Sequence, residues 1–475
     1  MHGDGGHARK HTGPDFAEVY SAFSSAINVS NLPVSVVEAA KANLFDTLAC
    51  ATAGISAPGV PEVLDLVTSW GGTPQASILC SPHRVPAHHA ALINGMMAHA
   101  RDYDDTHDAA VLHAGVSVVP AALAAAELSG DATGADLIAG AVAGLELVCR
   151  LGMATRIGII ESGFMYTSLF GHFGATAAAA RIMKLDARQT MNALGIVYSQ
   201  AAGTHQVTRD AATTKRMQPG FAARSAIVAV ELALREIRGA QQTFEGVDGL
   251  FRSYLRDAYD PQVLRADLGA RFELEGLSYK PYPCCRFDHT AIDAALIIRQ
   301  QPGFRLDRVR RIQSFTNHQA YEAVCTPPDI RRAPTTVVQA QFSIPYTVGC
   351  ALADGEVGLM HLSAEGLKRP EPLRLAAMTE CFEDAEIERE WGRTISPTLL
   401  RVETEDGVFE ARVDYPRGHP NAPMTRADFD KKFADCLRFS GLAWPADTAR
   451  RFSEAIANLE QLPKAESLVR LLATA

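Results

Sequence analysis

Residues 120–130 read PAALAAAELSG, and residues 171–186 read GHFGATAAAARIMKLD. Alanine is the strongest helix former and carries little bulk. The runs Ala121–Ala126 and Ala175–Ala180 therefore predict closely packed helices rather than strands of a sheet. Other helix signals surround them. Pro33 opens a run through Ala53 with apolar residues at Val36, Val37, Ala40, Leu44 and Leu48, a helical rhythm. Thr133 is placed to cap a helix over 134–150, and Asp186 with Gln189 three residues on resembles a capping box for a helix towards Ser199. Pro219 stands near the start of a helix continuing to about Arg238.

The character changes near residue 270. Pro281 and Pro283 cluster, and Val309–Phe315 and Leu399–Val402 have the look of strands. Glu405-Asp406-Gly407 offers a turn into Val408–Tyr415, a hairpin. Helices are expected between these segments at Asp288–Gln300, Val337–Ala353 and Pro370–Phe382, and the chain is helical again after Arg426. The expected fold class is mainly α: a large all-helical domain formed by both chain ends (15–270 and 426–475) and a smaller α+β domain (271–425).

The chain has 475 residues, enough for two or three domains, and a net charge of −9, which argues against nucleic acid or an anionic membrane as partner. No apolar stretch reaches the ~20 charge-free residues of a membrane span. Its nine cysteines include no CxxC pair, which fits reduced thiols in a cytoplasmic protein. The opening MHGDGGHARKHTGP lacks the apolar core of a signal peptide and reads as a polar tail.

Just before the first alanine run, residues 99–113 read HARDYDDTHDAAVLH, with three histidines, four aspartates, a threonine and a tyrosine. Acid–base groups crowded next to a buried helix are costly unless paired or used, so this segment is the first candidate site. Asp102 and Thr106 would share a face if the helix persisted; an interhelical loop is equally compatible. Asp104–Asp108 also fits DDxxD, a Mg²⁺ and diphosphate motif of helical enzymes, but no second acidic motif accompanies it. Lys215 and Arg216 precede a helix start, where the dipole favours an anion. In KPYPCCRFDHTAIDAAL, Lys280 enters a proline-stiffened turn, Arg286 and His289 lie at that turn, and Asp288 is placed to cap the next helix. Cys284 and Cys285 read as buried structural thiols. Tyr346, in AQFSIPYTVGCALADG, stands at a helix start as packing or as a proton donor.

The ordered series HARDYDDTH, HAGVSVVPAALAAAE, GHFGATAAAARIMKLD, NALGIVYSQAAGT, KRMQPGFAARSA, KPYPCCRFDHTAIDAAL and FSIPYTVGCALADG resembles the MmgE/PrpD family over residues 30 to 460. That family includes 2-methylcitrate dehydratase, cis-aconitate decarboxylase and iminodisuccinate epimerase. The resemblance implies a helical domain made from both chain ends, an α+β lid domain, a homodimer, and polycarboxylate chemistry with no cofactor and no metal. It places Asp102, Thr106, His113, Lys215, Lys280 and Tyr346 at the pocket positions of the decarboxylase branch. The chemistry of proton removal beside a carboxylate then gives His113 and Asp102 acid–base roles, Tyr346 that of a proton donor and Thr106 that of an orienting group, with Lys215, Lys280 and Arg286 as cations binding a small carboxylate. Met165 and Cys285 stand where the decarboxylase branch carries histidines. These departures favour a 2-methylcitrate-type dehydratase, with isomerisation, cis-aconitate-type decarboxylation or non-catalytic carboxylate binding as alternatives.

Overall fold

The computed structural model describes residues 13–210, 212–392 and 396–473; most of the N-terminal tail read above lies outside them. The protein is mainly helical and divides into two compact units. One comprises the chain up to His99, Ala110–Glu275 and Leu442 onward; the other comprises Ala100–Ala109 and Gly276–Gly441.

In the first unit the alanine runs lie where close packing demands small side chains. Helix Gly115–Ser129 packs on Tyr166–Ile182, which also packs on Gly134–Ala154 and on Gln218–Ala233. A Cβ on Gly174 would lie 2.1 Å from Val148 Cγ2 and 2.7 Å from the Gly144 carbonyl oxygen, so only glycine permits that approach. Thr133 caps its helix and Asp186–Gln189 forms a capping box, as expected; Asp136 makes the Thr133 cap a reciprocal box as well. Helix Gly115–Ser129 begins five residues before Pro120, which it contains; burial of Val116, Val118 and Val119 outweighs the backbone bond that the proline forfeits. The Pro219 helix stops at Ala233, short of the expected Arg238.

Gly134–Ala154 is long and apolar enough to cross a membrane, yet it is almost entirely buried inside this unit. Its Arg150 is fully buried. Nε donates to Glu146 Oε1 at 2.5 Å, and the other guanidinium nitrogens reach the Leu264, Ala266 and Arg271 carbonyl oxygens at 3.2, 2.9 and 2.9 Å. The C-terminal segment joins the same unit: Cys80 N–H donates to the Leu472 carbonyl, and Ala465 N–H to that of Ala132. The unit is not strictly all-helical, because Ala76–Ser77 and Arg84–Val85 form a short antiparallel ladder.

The second unit is built on a four-stranded sheet ordered Thr379–Glu383, Val309–Thr316, Thr398–Thr404, Gly407–Val413. The last two form the expected hairpin, with Thr404 opposite Gly407. Two helices expected from the sequence differ. Val337–Ala353 is broken into Val337–Gln341 and Ile344–Asp354, because Ser343 caps the second helix and Pro345 sits in its first turn. Pro370–Phe382 ends as a helix at Ala377; Thr379–Glu383 instead pairs in parallel with Val309–Thr316. β-branched and aromatic residues at that end suit a pleated ladder. Helix Arg426–Phe439, expected in the helical domain, belongs to this unit.

Candidate active site

The sequence-derived residues fall in both units: His113 and Lys215 in the first, Asp102, Thr106, Lys280, Arg286 and Tyr346 in the second.

In the first unit, helix Ala87–His99 ends on a buried histidine, and the turn Thr213–Met217 carries Lys215 ahead of helix Gln218–Ala233. Lys215 Nζ lies 3.5 Å from His99 Nε2. The His99 and His113 rings meet edge to face, with centroids 4.9 Å apart. His113 N–H donates to Thr167 Oγ1 at 3.0 Å, which fixes the backbone at this point against the start of helix Tyr166–Ile182. An ammonium and two imidazoles thus form one group, able to move a proton beside a fixed positive charge. The sequence reading gives His99 no role. Met165 lies beside the same helix start, its sulfur accepting from Thr208 Oγ1 at 3.7 Å.

In the second unit the helix does not persist through Asp102. The backbone there is left-handed (φ 54°), and Thr106–His107 forms a two-residue ladder with Leu277–Ser278. That pairing brings residues 100–109 against the segment bearing Lys280. Further bonds pin the two together. Gln341 Nε2 donates to the Arg101 and Pro283 carbonyls at 2.8 and 3.1 Å, Tyr103 Oη to the Pro281 carbonyl at 3.1 Å, and Lys432 Nζ to the Tyr103 and Lys280 carbonyls at 2.7 and 3.0 Å.

Lys280 is 1% exposed. Its Nζ donates to the Asp102 carbonyl at 2.9 Å and lies 3.4 Å from Asp102 Oδ1. Burial works to lower the pKa of this ammonium, but the carboxylates of Asp102 and then Asp104 outweigh it, so the pKa stands above the ordinary lysine value.

Arg286 is held by Asp108 through Nε and Nη2, both at 3.3 Å; its Nη1 donates to the Arg417 carbonyl at 3.1 Å and lies 3.3 Å from His289 Nδ1. Asp108 also accepts from Thr106 Oγ1 at 2.9 Å and Ser278 Oγ at 2.7 Å. Burial works to raise this carboxyl, yet Arg286 and the two hydroxyls hold it below the ordinary carboxylate range. Asp108, to which the sequence reading gives no partner, is thus the centre of this cluster. The DDxxD reading fails on the same facts: residues 104–108 are not helical, and the last aspartate is neutralised by arginine.

Tyr346 is fully buried in the apolar core of the second unit, and its hydroxyl donates to the His361 carbonyl at 2.9 Å. Burial, then Cys350, pushes it above the ordinary tyrosine value. Cys284 is a buried thiol, whereas Cys285, expected to be buried, is half-buried; desolvation still pushes Cys285 up to about 12, which leaves it un-ionised at neutral pH. Asp288 occupies the N-cap position of helix His289–Arg299 but makes no side-chain cap, because its backbone is helical rather than extended. Burial drives its carboxyl well above the ordinary value.

Fold and site together define a mainly helical protein with acid–base groups buried beside fixed cations. Residues 19–262 match the MmgE/PrpD N-terminal domain and residues 282–461 the MmgE/PrpD C-terminal domain, so the chain belongs to the MmgE/PrpD family. It is similar to the cis-aconitate decarboxylase-like protein oryM of Aspergillus oryzae, 25% identical over 462 residues covering 93% of this chain and 94% of that one. The cis-aconitate decarboxylase of Aspergillus terreus is 24% identical over 475 residues (95% and 94%), and that of Homo sapiens 25% over 481 residues (96% and 94%). These relatives are named as decarboxylases, which favours the alternative drawn from the sequence over the dehydratase.

Proposed function

We propose that this chain is a cofactor-independent lyase acting on a di- or tricarboxylate, and that it removes a carboxyl group as CO2. The observation that carries the reading is the grouping of Lys215 with His99 and His113, a fixed cation beside two proton carriers. Full-length similarity to decarboxylases supports the choice of leaving group. When the C–C bond to a carboxylate breaks, its electron pair stays on carbon and is delocalised onto a neighbouring carboxylate. An ammonium stabilises that developing charge. His113, assisted by His99, returns one proton to carbon, so substrate plus a proton yields product plus CO2. Proton transfer of this kind contributes roughly 10²–10⁴-fold. Lys280 is proposed as a second carboxylate-binding cation, with Asp102 setting its charge. Arg286 and Thr106 are proposed to act through Asp108, and Tyr346 to hold the core around it.

Dehydration is the second reading, favoured by Met165 and Cys285, which supply neither of the imidazoles of the decarboxylase branch. There a base takes the proton next to a carboxylate and an acid protonates the departing hydroxyl.

The test is a panel of cis-aconitate, citrate, 2-methylcitrate and iminodisuccinate, followed by NMR in deuterated water. CO2 release with one solvent deuteron on the product carbon, lost by at least ~10²-fold in His113→Ala and Lys215→Met, supports decarboxylation. Alkene formed from a hydroxy acid supports dehydration instead. Deuterium entering a substrate that keeps all its groups marks an epimerase, and no exchange with any of the four would sink the lyase reading for these substrates.

A further inference from the structure

The described cysteines outside the Cys284–Cys285 turn include a second pair, brought together by the fold rather than by sequence. Cys325 ends the π-helical turn Tyr321–Cys325, and Cys381 lies on the edge strand Thr379–Glu383. The turn and the strand that carry them pack against each other. Both line one small pocket, with Tyr321, Arg332 and Thr379 among its walls. Cys325 is 2% exposed, whereas Cys381 is half-buried and so the one a small oxidant meets first. Arg331 lies close by: Nε donates to the Thr326 carbonyl at 2.7 Å and Nη2 to that of Ala323 at 2.9 Å, holding its positive charge against the loop that carries Cys325. At Cys325 the neighbouring thiol and burial outweigh that charge and hold the sulfur protonated, so Cys325 is the resolving thiol and the half-buried Cys381 the one that meets the oxidant.

The geometry points to Cys325 and Cys381 as a redox modification site that a peroxide converts to a disulfide. The Cys381 thiolate attacks one oxygen of hydrogen peroxide, forming a sulfenic acid and releasing hydroxide. The Cys325 thiol then displaces that oxygen as water, and the sulfur–sulfur bond forms. Two thiols and one peroxide give one disulfide and two waters, with sulfur oxidised and peroxide oxygen reduced. The product would tie the sheet's edge strand to the π-helical turn. Nothing in this step depends on the lyase reading.

The intact folded protein is treated with hydrogen peroxide, quenched, alkylated in denaturant and digested with trypsin. The expected result is a mass loss of about 2 Da, reversed by dithiothreitol, and a cross-linked species joining peptides 312–331 and 375–389. Cys325→Ser should leave a sulfenic acid on Cys381 that dimedone traps, without a cross-link. Cys381→Ser should slow the loss of the Cys325 thiol at least about tenfold. Failure of the two peptides to join in peroxide-treated wild type, or a link from either to the peptide carrying Cys284 and Cys285, would overturn the assignment. So would an unchanged rate of Cys325 loss in Cys381→Ser.

Discussion

Asp102→Asn removes one charge from the buried Asp102–Lys280 pair while leaving the backbone undisturbed, since asparagine tolerates the left-handed conformation at this position. At 3.4 Å and an effective dielectric of about 20, the attraction lost is about 5 kcal/mol. A second route gives a similar figure. Deprived of the stronger of the two carboxylates that raise its pKa, the buried lysine can escape by losing its proton, and holding a lysine neutral at pH 7 costs at most about 5 kcal/mol. Breaking buried pairs in general costs about 3–5 kcal/mol.

Both routes predict a loss of about 3–5 kcal/mol at pH 7, read as a fall in the urea midpoint at unchanged slope. The sign with pH follows from linkage. In the wild type the raised pKa of Lys280 contributes stability that is full below the ordinary lysine value and is lost as pH rises through the raised value. In the variant, desolvation lowers that pKa, so the gap between the two proteins narrows by up to about 1.4 kcal/mol per pH unit once the variant lysine deprotonates. The gap at pH 10 should be well below that at pH 7. A loss under about 1 kcal/mol at pH 7, or a gap that does not change with pH, would refute the argument that this pair is a buried ion pair.

Arg150→Met strands Glu146 and several carbonyls in the first unit's core and should cost at least about 3–5 kcal/mol in urea unfolding, with Glu146→Gln added on top recovering part of it. His172 is fully buried, its Nδ1 lies 2.7 Å from the Ser168 carbonyl, and burial lowers its pKa from 6.5 to about 4. Its contribution to stability is therefore full above pH 6.5 and falls by roughly 3 kcal/mol as pH drops towards 4, a slope that His172→Gln should flatten in urea melts at pH 7 and 5. Gly174→Ala, forced against Val148, should lower stability by about 1–3 kcal/mol, measured by thermal melting.

Much of the helical scaffold was legible because its signals are local. Thr133, Asp186 and Pro219 mark helix starts through short-range bonds, and alanine runs mark contacts through their small size. The Glu405–Gly407 turn was legible for the same reason. What escaped depends on distant pairing. Thr379–Glu383 reads as the tail of a helix until Val309–Thr316 lies beside it; the Ser343 cap that divides Val337–Ala353 is by contrast local, a bond from Tyr346 N–H three residues on. At the candidate site, motif order pointed to Asp102, Lys280 and Arg286, but not to what each touches. Asp108 gains its meaning from Arg286 and Ser278, far along the chain, and His99 from a lysine more than a hundred residues away.

The ten residues from Ala100 to Ala109 leave one unit to join the other and then return, so the chain passes between units four times. The genetic order of the protein is therefore not its architectural order. A fragment spanning 276–441 would lack the strand that pairs with Leu277–Ser278, the carboxylate that neutralises Lys280 and the one that holds Arg286. A fragment ending at residue 275 would carry those aspartates without Lys280 and Arg286. Neither half holds both partners of these pairings. The ribosome must finish the second segment before the first loop can meet Lys280 and Arg286, which makes these pairings post-translational.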